Sequence, residues 1–324
     1  MREALRALAI VVLIALSTSA GEYRPHSPIV IATVADLTPE NGVVKGSGTA
    51  EDPYVISGWE VDAGDGIGIV VRGVDAYLVI EDCLVRGTPR GTGVSIAGSP
   101  HVVVRDCRFE GLGTGVFLYE APGAVLRGNE FVRCWTGIEG NASPRLLVRE
   151  NLFRDARKHG LFLWRARGSR LEGNRAFDCG YGIYLDSCNV LTITGNLVVN
   201  CRWGIYLWDS HDSLLTRNVV ENCVRGLGLY HTSARNLIYH NAFTSCDYPA
   251  FDDSSGGNRW YAPYPQGGNF WGGVELDDRY SGPEQNEPGP DGIGDVPVEI
   301  PEAGRDRYPL MSPPPGLPSW EKGD

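Results

Sequence analysis

Helical periodicity is missing from this 324-residue chain, and its absence bounds the answer more than any residue present. No segment repeats apolar residues every three to four positions for long enough to make a helix, which removes the helical and mixed fold classes. Positive charge is also short: 29 Lys and Arg stand against 40 Asp and Glu, for a net charge of −11. Such a surface repels phosphate backbones, so sequence-independent binding of nucleic acid is excluded. Lysine occurs only at 45, 158 and 322, and methionine only at 1 and 311. Long hydrophobic runs are lacking after the N-terminus, where Leu8 to Leu16 follows Arg2 and Arg6 and precedes Thr18-Ser19-Ala20. That run is short for a bilayer span and reads as a secretory signal over residues 1–20. The mature chain is therefore expected outside the cytoplasm, periplasmic or extracellular, with a membrane contact only if the signal segment is retained.

What is present keeps one clock. The segments GVSIAGS, GVFLYEA, GIEGNAS, GLFLWRA, GIYLDSC, GIYLWDS and GLGLYHT start at Gly93, Gly115, Gly137, Gly160, Gly182, Gly204 and Gly226. A second column runs Cys107, Asn129, Asn151, Asn174, Asn196, Asn218 and Asn241. Both advance by 22 or 23 residues per step. A fixed period of that size is the mark of stacked repeats. Each unit holds short alternating runs such as Gly204-Ile205-Tyr206-Leu207 and Leu191-Thr192-Ile193-Thr194, which read as half-buried strands. The Leu-x-x-Leu-x-Leu pattern of leucine-rich repeats is absent.

These features predict an all-β fold: a right-handed parallel β-helix, one coil of about 22 residues per repeat, with caps at both ends. Coils stacked at about 4.8 Å would make a rod of roughly 40–50 Å. The asparagines are expected to turn the chain in the left-handed conformation and to hydrogen-bond along the axis. The glycines are expected to supply positive φ at the strand entry.

Boundaries follow from where the clock runs. Residues 21–60 are expected to cap the first coil, 61–251 to form the helix, 252–311 to fold over its end as an irregular cap, and 312–324 to be a flexible tail. Eight cysteines in an exported chain would ordinarily suggest disulfides. Here Cys134, Cys179, Cys201, Cys223 and Cys246 share one column, and equivalent positions on stacked strands are too far apart for that bond. They read as small apolar core residues. Cys188 falls outside both columns and is the expected reactive thiol.

In Gly-Ile-x-Leu the apolar pair points inward, so the residue between and those after it point out. These outward columns gather Tyr119, Trp164, Tyr184, Tyr206, Trp208 and Tyr230, with Glu120 and Arg165 among them; Trp135, His159, Tyr181 and Trp203 precede the glycines. Flat rings with polar edges, repeated along a rod, suit an extended polysaccharide or surface glycan. Equally, stacked rings stabilise a sheet, as in a structural cell-envelope protein, or meet a protein partner in the envelope. The balance favours a binding protein over an enzyme. Were there turnover, it would be hydrolysis or lysis of a polysaccharide, carried by the pair Asp186 and Asp209 or by Asp209 with His231. In the C-terminal cap, Asp291 and Asp295 lie in the acidic, glycine-containing run Asp291-Gly292-Ile293-Gly294-Asp295 that could hold Ca²⁺, although it is not an EF-hand loop.

The 22-residue coils resemble the parallel β-helix repeats of the pectin-lyase-like superfamily, nearest to its NosD-type branch. The opening GSGTAEDPYVISGWEVDA resembles the N-terminal cap of archaeal exported members, as do GNFWGG and the closing DGIGDVPVEIPEAGRDRYPLM. The resemblance covers nearly everything after the signal. It implies either carbohydrate binding or a periplasmic accessory role in maturing a copper enzyme, and with the latter a copper cofactor. With two methionines and six histidines in no regular column, the soft ligands on offer are the cysteines. The Asp-Pro-His-Glu run of polysaccharide epimerases with this fold is absent.

Overall fold

The computed structural model describes residues 23–319, apart from 255 and 303. The expected signal segment lies outside these residues. The described chain winds as a parallel β-helix with three sheets running the length of the rod. One coil shows the plan. Trp203–Trp208 lies in the sheet called here sheet 2, Leu214–Thr216 in sheet 3, and Val219–Glu221 in sheet 1. Each pairs in parallel with its counterpart one coil away: in sheet 2, Ile205 with Ile183 and Leu227, and Leu207 with Leu185 and Leu229. Sheet 1 runs from Arg24–His26 to Phe270–Trp271, and sheet 2 from Ile29–Ile31 to Tyr248–Asp252. The ladders therefore extend past 61–251 at both ends. The capping segment already forms a first turn of strand, and Phe270–Trp271 adds a late strand after a long excursion. Among the described residues no helix is long and apolar enough to cross a membrane.

Alternation puts the apolar pairs inside. Ile183, Leu185, Ile205 and Leu207 are buried, as are the stacked rings Phe109, Phe131 and Phe153, with centroids 4.9 and 5.1 Å apart. Full burial of one such side chain contributes roughly 1.5–3 kcal/mol. Repetition along the rod makes this the main source of stability.

The glycine column has a different cause from the one expected. None of Gly93, Gly115, Gly137, Gly160, Gly182, Gly204 or Gly226 has positive φ. A Cβ at Gly115 would strike the Phe131 ring and come within 2.6 Å of the Gly137 carbonyl oxygen. The column is glycine because the coils close on it.

The asparagines likewise leave the left-handed turn to their neighbours. Glu150, Arg217 and His240, each just before a column asparagine, have φ of 56, 59 and 56°. The asparagine side chains point in and form the expected ladder. Asn174 Oδ1 accepts from the backbone N–H and Nδ2 of Asn151, and Asn174 in turn donates both to Asn196 Oδ1. Each Nδ2 also reaches a carbonyl on the preceding coil, as Asn196 does to Leu171 (2.9 Å). Every side-chain oxygen accepts from the coil before, and every backbone N–H of the row donates to the coil after, so the last asparagine needs an acceptor. Asp306 supplies it, taking Asn269 N–H at 2.7 Å and the Trp271 indole at 2.9 Å. A second ladder, Ser213–Asn236–Asn258, ends the same way on buried Asp252, which also accepts from the Trp260 indole. Two buried carboxylates thus terminate two rows of amides, and this fastens the C-terminal cap.

The cysteines are free thiols, seven buried and Cys246 partly so. Cys188 is not the reactive one. It sits in a further ladder with Ser210 and Ser233, where Ala166 N–H donates to Cys188 Sγ and Cys188 N–H to Ser210 Oγ. Burial pushes its thiol up to about 12. Alanines at 121 and 166 interrupt that column and hide it in the sequence.

Residues 312–319, expected as a flexible tail, lie along the outside of sheet 1. Leu317 packs beside Phe177, Leu197 and Val219, and Arg217 donates to the Pro315 carbonyl at 2.8 Å.

Candidate functional site

Sheet 2 presents its outer face through three parallel columns. The strand Tyr181–Asp186 is typical: Tyr181, Tyr184 and Asp186 are half-exposed, while Ile183 and Leu185 are buried. Register between coils lines up Phe162, Tyr184 and Tyr206, and beside them His159, Tyr181 and Trp203. The third column is Trp164, Asp186, Trp208 and Tyr230.

The rings pack on one another sideways. Tyr184 meets Phe162 at 5.1 Å and Tyr206 at 4.8 Å, the latter edge-to-face at 88°. Tyr181 stacks on Trp203 at 5.6 Å and 7°. Burial among these rings, helped by the charge of Asp186, pushes the Tyr184 hydroxyl up to about 12, and burial raises Tyr206 further. The phenols therefore stay neutral and keep their protons as donors. Burial, with Lys158 beside it, lowers His159 to about 4, so its ring is neutral too. Packing on one side and water on the other makes the face a rigid, half-open aromatic surface.

The expected residues divide under this geometry. Trp164, Tyr184, Trp203, Tyr206 and Trp208 share the face. Tyr119 and Glu120 lie two coils before Trp164 and Arg165, where Asn141 and Ala142 interrupt their columns. Arg165 lies over the Trp164 ring at 4.3 Å. Tyr230 is a correction: it is 8% exposed. Its ring folds back over Gly228, whose missing Cβ leaves the space, and stacks on Tyr206 at 4.6 Å. Arg225 donates to its hydroxyl at 3.1 Å. Trp135 is a second correction. Thr136, not Trp135, stands in register with His159, because Trp135 lies two positions before Gly137 whereas His159 lies one before Gly160. Sequence reasoning missed Arg225 and Tyr248, which extend the His159 column beyond Trp203. Counting one position before each glycine would have found Arg225.

The polar residues at the far edge form two separate groups. Asp186 accepts from Ser187 Oγ at 2.7 Å. Asp209 accepts from His231 Nδ1 at 2.6 Å and from both the hydroxyl and the N–H of Thr232. Those bonds, Thr232 first and His231 next, hold Asp209 below the usual carboxylate range. It is a settled anion, unsuited to donating a proton. The His231 ring stacks on Trp208 at 4.9 Å and 13°, so its other nitrogen is the one left for a ligand. The pair is built as an oriented hydrogen-bonding group at the rim of the rings.

In the cap, Asp295 accepts from the backbone N–H of Arg279 and Tyr280, and Asp291 from Ile293 N–H and Gln285 Nε2. Turn formation thus occupies both. Among the described residues no group of three or more His, Cys, Asp or Glu side chains is arranged to hold a metal.

A family model described as periplasmic copper-binding protein (NosD) matches residues 78–276, well over half of the chain. The chain belongs to the NosD family. The family is periplasmic by its description, in keeping with an exported β-helix protein. No curated protein matches the chain. Among solved structures, the AlgE6 A-module of Azotobacter vinelandii mannuronan C-5 epimerase is similar at 12% identity, covering 78% of this chain and 85% of that one, with a TM-score of 0.49. The exopolygalacturonase of Thermotoga maritima is similar at 9% identity over 68% and 74% of the two chains, with a TM-score of 0.43. XylC in complex with xylose is similar at 12% identity over 60% of this chain, with a TM-score of 0.47; the match spans 42% of the XylC chain.

The NosD description names copper, and the thiols here do not fit such a centre. Cys201, Cys223 and Cys246 stack one per coil along the axis, and each donates at 3.4 Å to the carbonyl two residues before it. Their neighbours thread a buried row and do not converge on a point, and burial raises Cys134 to about 11. Thiols spaced one per coil along a row do not gather around one metal ion.

Proposed function

We propose that this NosD-family chain is an exported binding protein that takes an extended carbohydrate along the aromatic face of sheet 2. One observation carries the reading: half-exposed rings occupy successive coils in register, from Phe162 through Tyr184 to Tyr206, flanked by Trp164, Tyr181, Trp203 and Trp208. The coil advance of about 4.8 Å is comparable to the advance per unit of an extended pyranose chain. Rings fixed by their neighbours lose little freedom on binding, and their faces suit the C–H faces of sugars. Phenol hydroxyls and the Asp209–His231 pair lie where hydroxyl groups would meet them.

The test is a tryptophan-fluorescence titration of the exported chain with neutral and charged polysaccharides. A saturable change is expected, abolished in Trp203→Ala and Tyr206→Ala while the β spectrum stays intact. No response to any polysaccharide by the folded protein would overturn the reading.

The family match favours a second reading, an accessory protein in copper-enzyme maturation. Because the thiols are a poor ligand set, this role would rest on contact with the partner enzyme. Co-purification with that enzyme, lost on substitution of the same aromatic face, would support it over the first.

A further inference from the structure

The aromatic face is edged differently on its two sides. At the C-terminal ends of its strands stand the acids Glu120, Asp186, Asp209 and Asp253, with the cation Arg165, held over the Trp164 ring, among them. At the N-terminal ends, in the turns arriving from sheet 1, stand Arg133, Arg157, Lys158, Arg202 and Arg225, all exposed, with the carboxylates Asp155, Asp178 and Asp247 among them. Five cations gathered on one edge are unexpected for a chain of net charge −11.

Several arginines elsewhere are paired with carboxylates. Arg86 meets Glu60, Arg105 meets Glu81, Arg235 meets Asp212 and Arg307 meets Glu284. Among the described residues, Arg133, Arg157, Lys158 and Arg202 have no carboxylate within ion-pair distance. Arg225 has none either; it lies in the ring column itself, its guanidinium 4.5 Å above Trp203, and is held by the Tyr230 hydroxyl. A guanidinium fixed on rings, with donors left over, is prepared for an anion.

We propose that Arg157, Lys158, Arg202 and Arg225 are the specificity-determining edge of this face, and that its ligand is an anionic polysaccharide lying with its charged substituents toward these turns and its hydroxyl edge toward Asp209 and His231. This rests on the carbohydrate reading above and adds the charge and the orientation of the chain. Acids on the far edge repel the reverse placement, so the two edges together set direction.

The experiment titrates the exported chain with charged and neutral forms of the same backbones: carboxymethyl cellulose against hydroxyethyl cellulose, and dextran sulfate against dextran. Wild type should bind a charged form at least about tenfold more tightly than its neutral counterpart, and the difference should shrink with added salt. The double variant Arg157→Glu/Arg202→Glu should lose that preference while keeping its fold, since both side chains are exposed and unpaired. Arg157→Lys/Arg202→Lys should retain it. Equal binding of charged and neutral forms overturns this proposal and leaves the carbohydrate reading standing. Preference unchanged by the charge reversal also overturns it, placing the anion elsewhere. Binding to no polysaccharide overturns both.

Discussion

Two rows of side chains run the length of this rod, and they solve opposite problems. The inner row, Asn129 to Asn269, is one residue type repeated, each amide with fixed partners on the coils before and after. The outer row on sheet 2 varies in residue type: Phe117, Glu139, Phe162, Tyr184, Tyr206, Gly228, Phe251. Buried amides must be satisfied by the protein, so the fold dictates the inner row. Outer rings are satisfied on one flank and wet on the other, so the fold tolerates many residues there. That it carries rings over three consecutive coils is a choice the fold does not impose.

The largest effect should come from breaking the inner row. Asn196→Ala removes the acceptor for Asn174 N–H and Nδ2 and the donor to the Leu171 carbonyl. Leaving those groups buried and unpaired should cost about 4 kcal/mol, read as a lower denaturation midpoint. A cost no larger than that of Tyr206→Ala, in the outer row, would erase the distinction between the two.

Next is the end of the inner row. Burial raises Asp306 to about 6 from an ordinary 3.8, against the lowering from its bonds to Asn269, Trp271 and Tyr308. A raised folded value means its contribution is fully present below pH 3.8 and is lost as pH rises through about 6. The loss is on the order of 3 kcal/mol. The Asp306→Asn variant should lack this pH dependence between pH 4 and 7 in denaturant titrations. An unchanged pH profile would show that the terminus of the ladder is not titrating.

A smaller effect tests where the two kinds of row touch. Gly228→Ala puts a methyl group into the Tyr230 ring, which packs on Tyr206. Overpacking of this kind costs about 1–3 kcal/mol. It should also alter the near-ultraviolet circular dichroism of the aromatic face. An unaltered spectrum would mean that Tyr230 does not lie where the structure puts it.

Much of this was legible beforehand because a stacked coil must repeat its solution: period, strands, inward Ile and Leu, and the amide ladder all follow from the two columns. The reasons for individual residues were less legible. Gly115 and Gly204 are recognisable as a column, but the carbonyl and side-chain groups that exclude a Cβ there come from other strands. Asn196 marks a turn, but the left-handed residue is its neighbour Gly195. Tyr230 looked exposed by alternation, and its burial depends on a ring folding across its own strand. Arg225 was hidden by reading aromatics alone, and so was Thr136, the residue directly before Gly137, passed over for Trp135. The site's chemistry resides in these side-chain orientations, which a periodic pattern does not encode.

The most direct test is hydroxyl-radical footprinting of the chain with and without a saturating polysaccharide ligand. Protection concentrated at Tyr184, Trp203, Tyr206 and Trp208, with Tyr119 and Tyr280 unchanged, is the predicted result. Protection confined to other surfaces, with those four rings oxidised as in the free protein, would contradict the account.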